Sequence, residues 1–137
     1  MTDLIIYQIE NNLSPQEFRK ILIRSTLGKR RPIDDMDRLE KMCRHANLIV
    51  TARYEGQLVG IARSLSDFTY CTYLSDLAVD LNFQKKGIGK QLIEETRKQA
   101  PQGTIILLAA PAAIDYYPKI GMEQYEFCFR LKDMDEA

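Results

Sequence analysis

One stretch limits what this chain can become. Between Tyr73 and Ala100 an alternating apolar run, YLSDLAVD, ends at Asp80, and a helical pattern begins within a few residues. Leu77 and Val79 keep strand period, whereas Ile88, Leu92, Ile93 and Thr96 keep helix period. The connector Gln84-Lys85-Lys86-Gly87-Ile88-Gly89-Lys90 holds two glycines and three lysines. Glycine lets a backbone approach a ligand closely, and a helix start offers unpaired N–H groups. A strand feeding such a connector into a helix makes a seat for phosphate, with lysine charge of the matching sign.

The length of 137 residues suits one domain with a real core. Acidic and basic residues number 19 each, so no global field draws the chain to nucleic acid or to an anionic membrane. No apolar run approaches the roughly 20 residues of a membrane-spanning helix. The N-terminal MTDLIIYQIE lacks the basic region and cleavage site of a signal peptide. Cys43, Cys71 and Cys128 are odd in number and far apart, which fits neither a disulfide framework nor a metal pair. A reducing cytoplasm is the expected setting, with no metal.

The remaining elements follow from local signals. Leu4 to Ile9 reads as an opening strand. Ser14, Pro15 and Glu17 open a helix with a capping box, Leu13 and Phe18 supply a staple, and Gly28 is the expected stop. Lys29-Arg30-Arg31-Pro32 is a basic turn, read as a solvated connector or as a contact to an anion. A second helix is expected from Asp34 to Ala46. Strands over Asn47–Tyr54 and Gln57–Ser66 meet at Glu55-Gly56, and a third runs from Cys71 to Asp80. A helix from Gly87 to Ala100 then precedes a buried strand from Thr104 to Ala109, a short helix from Pro111 to Ile120, and a last alternating strand from Tyr125 to Leu131. This order gives a layered α/β chain with a mixed (α+β) sheet.

Gly87-Ile88-Gly89-Lys90 fails two familiar nucleotide motifs. The P-loop spacing is wrong and Gln91 follows the lysine; a dinucleotide fingerprint needs glycine where Leu92 stands. The longer pattern, Leu77-Ala78-Val79 followed by Gln84-x-x-Gly87-x-Gly89 and an amphipathic helix, resembles the central motif of the GNAT superfamily of N-acetyltransferases. Tyr116-Tyr117-Pro118-Lys119-Ile120-Gly121-Met122 is similar to a second motif of that family, at a fitting separation. The stretch Ile61 to Asp67, IARSLSD, resembles small plastid and cyanobacterial arylalkylamine acetyltransferases.

The resemblance implies a mostly antiparallel sheet of six to seven strands flanked by about four helices, as one domain over residues 1–137. It implies acetyl-CoA as cosubstrate and a primary amine, on a small molecule, as acceptor. Leu77, Ala78 and Val79 would meet the pantetheine arm, and the connector Gln84, Lys85, Lys86, Gly87, Ile88, Gly89 and Lys90 the pyrophosphate. Val79 N–H would stabilise negative charge on the thioester oxygen. Tyr117 would contact the cofactor and protonate the leaving thiolate, and Asp76 is the candidate base, ahead of Tyr73, Asp67 and Asp115. A packed core tyrosine and a strand-edge acid are the plainer readings of Tyr117 and Asp76. His45, the single histidine, is read as a surface or interhelix residue, and Cys71 as an unneeded nucleophile. Where many relatives carry an asparagine, six residues before the aromatic pair, this chain has Ala110 and then Pro111. That change removes a side-chain bond to the pantetheine arm. Homodimers are common in the family, and the sequence fixes no oligomeric state. The competing readings are a non-catalytic acetyl-CoA sensor and a nucleic-acid module built on Lys29 to Arg31.

Overall fold

The computed structural model describes residues 4–134. Its residues form two compact units, one through Leu107 and one from Leu108 onward. The first unit carries strands β1 (Ile5–Ile9), β2 (Leu48–Tyr54), β3 (Gln57–Ser66), β4 (Cys71–Val79) and β5 (Thr104–Ile106). Helices α1 (Pro15–Arg24), α2 (Met36–His45) and α3 (Ile88–Gln99) belong to the same unit. The strands lie in the order β1-β2-β3-β4-β5, antiparallel except for the parallel β4–β5 pair.

Alternation sorts the sheet into two faces. Ile49, Leu58, Ile61 and Ala78 cluster with Phe18, Ile21 and Leu22 of α1 and Leu39 and Cys43 of α2. Their strand neighbours Leu48, Val50, Val59, Ala62 and Leu74 cluster with Ile88 and Leu92 of α3. A strand covered on both sides is apolar at nearly every position, and β3 is buried from Leu58 to Ser64. Gly60 is what lets α3 sit so close. A Cβ there would lie 3.1 Å from Leu92 Cδ1 and 3.2 Å from Ile88 Cγ2.

Most sequence signals hold locally. Ser14 Oγ accepts the Glu17 N–H at 3.1 Å and starts α1. Glu55 and Gly56 both take positive φ (50° and 83°), the two left-handed positions of a tight hairpin. Several expectations need correction. The capping box is half made, because the Glu17 carboxylate instead accepts from Arg53 Nη1 at 2.9 Å. Thr26, not Gly28, takes the left-handed position after α1 (φ 71°), and Gly28 sits in a short 3-10 turn, Leu27–Arg30. β5 spans only Thr104–Ile106, and Ile106 is exposed, so the apolar run is no fully buried strand. Among the described residues the sheet has five strands rather than six or seven, because Tyr125 to Leu131 alternates in sequence but pairs with no strand.

The second unit is built around a 3-10 turn, Pro111–Ala113, and helix α4 (Tyr116–Lys119). The expected helix from Pro111 to Ile120 is thus broken in two. Pro118 brings no N–H to a helical ladder, and its ring crowds the carbonyl four residues back. No helix among the described residues is long and apolar enough to cross a membrane.

Candidate active site

β4 carries the site in the first unit because its outer edge is only partly covered. β5 pairs with Cys71, Thr72 and Tyr73 and stops there. On the inner side, β3 pairs with β4 as far as Val79, and the Asp80 N–H donates to Val59 carbonyl at 2.9 Å. Backbone groups alternate along a strand, so if Asp80 points toward β3, Val79 and Leu77 point away from it. The carbonyl of Val79 confirms the direction, since it accepts from Gln84 Nε2 at 3.0 Å. The Leu77 N–H and C=O and the Val79 N–H therefore face the edge that β5 leaves open.

The chain then turns into α3. Asp80 Oδ1 accepts the Asn82 N–H at 2.9 Å and caps the 3-10 turn Leu81–Phe83. Lys85 (φ 64°) and Gly87 (φ 82°) are both left-handed and swing the backbone into the helix. Gly87 is the N-cap and, lacking a side chain, leaves the first amides of α3 uncapped. A Cβ on Gly87 would meet nothing within 4 Å, so the space in front of the helix start is open. Ile88 is buried against the sheet, while Lys85, Lys86 and Lys90 are exposed, with Lys86 Nζ 5.5 Å from the Phe83 ring centroid. Open amides, the positive end of a twelve-residue helix and no acid in its first turn fit a diphosphate. The edge of β4 beside it fits an amide-bearing arm that pairs as a strand would. These residues suit CoA.

The candidate acid and bases have unequal surroundings. In the second unit Tyr117 is half-buried and packs edge-on to Tyr116, with centroids 5.2 Å apart. Burial, followed by the neighbouring Tyr116, raises the Tyr117 phenol above its ordinary value of 10.0. It is thus a neutral proton donor at pH 7. Ala110 precedes the 3-10 turn of that unit and offers no side-chain bond. Asp67 accepts the N–H groups of Tyr70, Thr69 and Cys71, which lower its pKa to about 2 and make it a poor base near neutrality. Asp115 is exposed and makes no capping bond, Tyr73 is 40% exposed, and His45 ends α2 on the surface. Burial pushes the Cys43 thiol up to about 11, and Cys71 is exposed, its Sγ donating to Asp67 Oδ2 at 3.9 Å.

Asp76 is fully buried, and its two oxygens accept from two different guanidiniums, Arg31 Nε and Arg63 Nε. Both oxygens of this carboxylate are thus occupied by guanidiniums, away from solvent. Arg31 is also committed elsewhere, donating from Nη2 to Ser75 carbonyl at 2.8 Å. Of the basic turn, Lys29 and Arg30 are left exposed. Sequence reading passed over Arg63, although a lone arginine inside the apolar run QLVGIARSLS was a signal that it must meet a buried acid.

Residues 13–122 match the Acetyltransferase (GNAT) family. The chain belongs to the GNAT family. The match spans most of the first unit and half of the second, including the open β4 edge, the α3 start and Tyr117. GCN5-related N-acetyltransferase 2, chloroplastic, of Arabidopsis thaliana is 35% identical over 72 residues, 50% of this chain and 28% of that protein. An uncharacterized N-acetyltransferase, ycf52, of Porphyra purpurea is 35% identical over 86 residues, 57% of this chain and 49% of that protein. The aligned part thus spans less than half the length of these relatives. A GNAT family acetyltransferase of Streptococcus pneumoniae shares the fold with a TM-score of 0.78 at 17% identity, over 98% of this chain and all of that one. An aminoglycoside N-acetyltransferase solved in complex with CoA has a TM-score of 0.74 at 16% identity, over 98% of this chain and 97% of that one.

Proposed function

We propose that this GNAT chain transfers an acetyl group from acetyl-CoA to a primary amine on a small molecule. The observation that carries the reading is the continuity of the open β4 edge with the uncapped start of α3. One strand edge and one helix start suit two chemically distinct parts of CoA, the amide-bearing arm and the diphosphate. The family match across both units supports treating residues 1–137 as one N-acetyltransferase domain. Bound acetyl-CoA supplies an electrophilic thioester carbonyl and a thiolate leaving group.

The chain's own residues then have separable tasks. Leu77 and Val79 align the arm by main-chain bonds, with Ala78 between them anchoring the strand in the core. The Val79 N–H meets the charge that grows on the thioester oxygen. The amides from Lys85 to Lys90 hold the diphosphate, and Gln84 steadies the edge by holding the Val79 carbonyl. Tyr117 gives its phenolic proton to the departing sulfur. An alkylamine has a pKa of about 10.4, so only its neutral fraction attacks, and rate rises with pH until Tyr117 ionises. With Asp76 doubly engaged, solvent is the proton sink.

The assay is thiol release from acetyl-CoA with 2-phenylethylamine, spermidine and kanamycin as acceptors. At least one amine should give sustained turnover. Tyr117→Phe should lower kcat about 100-fold while changing the acetyl-CoA Kd less than twofold. Binding of acetyl-CoA without turnover on any amine would instead favour a sensor, and an unchanged kcat would remove Tyr117 as the acid.

A further inference from the structure

We infer that Arg31, Asp76 and Arg63 form a positioning clamp that fixes the wall of the acceptor site, and that Asp76 acts through Arg31 rather than as the base. The inference rests on the proposed acetyl transfer along the β4 edge.

The clamp is built at an irregularity. Ser64 pairs with Leu74 and Arg63 with Asp76, so Ser75 is an extra residue in β4, a bulge. Both guanidiniums attend to this residue. Arg31 Nη2 donates to its carbonyl at 2.8 Å, and Arg63 Nη2 donates to its hydroxyl at 3.0 Å. Each Nε donates to one oxygen of Asp76, as described above. Arg63 reaches further, from Nη1 to the Met42 carbonyl of α2 at 3.0 Å, and its guanidinium lies 5.8 Å from the Phe18 ring centroid of α1. One buried carboxylate thereby joins α1, α2, β3, the β4 bulge and the turn that ends at Arg31.

The position of the bulge gives the clamp its consequence. The parallel pairing of β4 with β5 ends at Tyr73, two residues before Ser75. Leu77, the first residue assigned to the arm of CoA, follows Asp76 directly. The clamp therefore sits where the edge becomes open, and Arg31 brings the Leu27–Arg30 turn against that place. In the proposal, the acceptor amine lies against this turn, beside the edge that the clamp holds. Arg31 is the more accessible guanidinium, with 21% side-chain exposure against 7% for Arg63. Removing it takes the partner from one Asp76 oxygen and from the Ser75 carbonyl, so the acceptor wall loosens, while Arg63 still supplies the buried carboxylate with a counter-charge.

The test uses the full chain and the panel amine with the highest rate. Arg31→Ala should raise the KM for the amine about 10-fold or more. Its kcat should stay within about threefold and its acetyl-CoA Kd, by calorimetry, within twofold. Arg31→Lys keeps the charge but not the fork, and its KM should fall between. Asp76→Asn should raise the amine KM likewise and leave the shape of the kcat–pH profile unchanged. An unchanged amine KM in Arg31→Ala overturns the proposal. So does an Asp76→Asn variant that loses its acid limb and about 100-fold or more in kcat, the signature of a lost base. If Asp76→Asn does not fold, the two Arg31 variants decide alone. Should acetyl-CoA bind but no panel amine turn over, the transfer reading fails, and the clamp's role with it. Normal turnover with an unmoved KM removes only the clamp.

Discussion

Glu10 shows at the scale of a residue how this chain ties its helices to its sheet. Its carboxylate accepts from Arg53 Nε at 2.8 Å and Nη2 at 2.9 Å, and from the Thr51 hydroxyl. Arg53 also reaches Glu17 of α1, so one guanidinium joins the end of β1, β2 and α1. Its bonds to Arg53 lower the Glu10 pKa from 4.5 to about 2. The folded state therefore binds the Glu10 proton more weakly than the unfolded chain does. The resulting stability is fully present above the unfolded value and is lost as pH falls from about 4.5 to about 2. With solvent screening at a partly exposed site, its size is about 2 kcal/mol. Glu10→Gln should lose about that much in urea unfolding at pH 7, and the gap to the parent should shrink by pH 3. A gap of constant size from pH 7 to 3 would show that the ion pair is not its source. None of these ionic links was legible in the sequence. Arg53 and Glu10 are 43 residues apart, and only the sheet register brings them together.

Elements were legible where their signals are local. The α1 cap, the Glu55-Gly56 turn and the strand-to-helix passage at Gln84 to Gly89 each depend on a handful of adjacent residues. Signals failed where a distant partner decides. Tyr125 to Leu131 alternates as a strand would, but alternation supplies only a face, and a strand also needs an edge to pair with. Gly60 was silent in sequence because a glycine in a strand can mark a bulge, a bend or a close approach. In the fold it is a close approach, and it sets the height of α3 above the sheet. Gly60→Val should therefore push Ile88 and Leu92 outward, destabilise the chain by about 1–3 kcal/mol, and weaken acetyl-CoA binding at least about threefold. Melting and calorimetry on one sample check both effects. An intact Kd in a destabilised variant would separate the height of α3 from the seat at its start.

At the scale of the whole molecule, the strand-to-helix passage and the family were readable because they rest on main-chain geometry that glycine spacing encodes directly. The pairing of Asp76 was not, since only the fold brings Arg31 and Arg63 onto it. The account as a whole depends on backbone amides at the start of α3 gripping a diphosphate beside an open strand edge. Calorimetry with acetyl-CoA, CoA and S-acetylpantetheine tests this most directly, because the last keeps the thioester arm and lacks the diphosphate. Acetyl-CoA and CoA should both bind with measurable heat, and S-acetylpantetheine about 100-fold more weakly or not at all. Equal affinity for all three ligands, or no heat with any of them, would contradict the account.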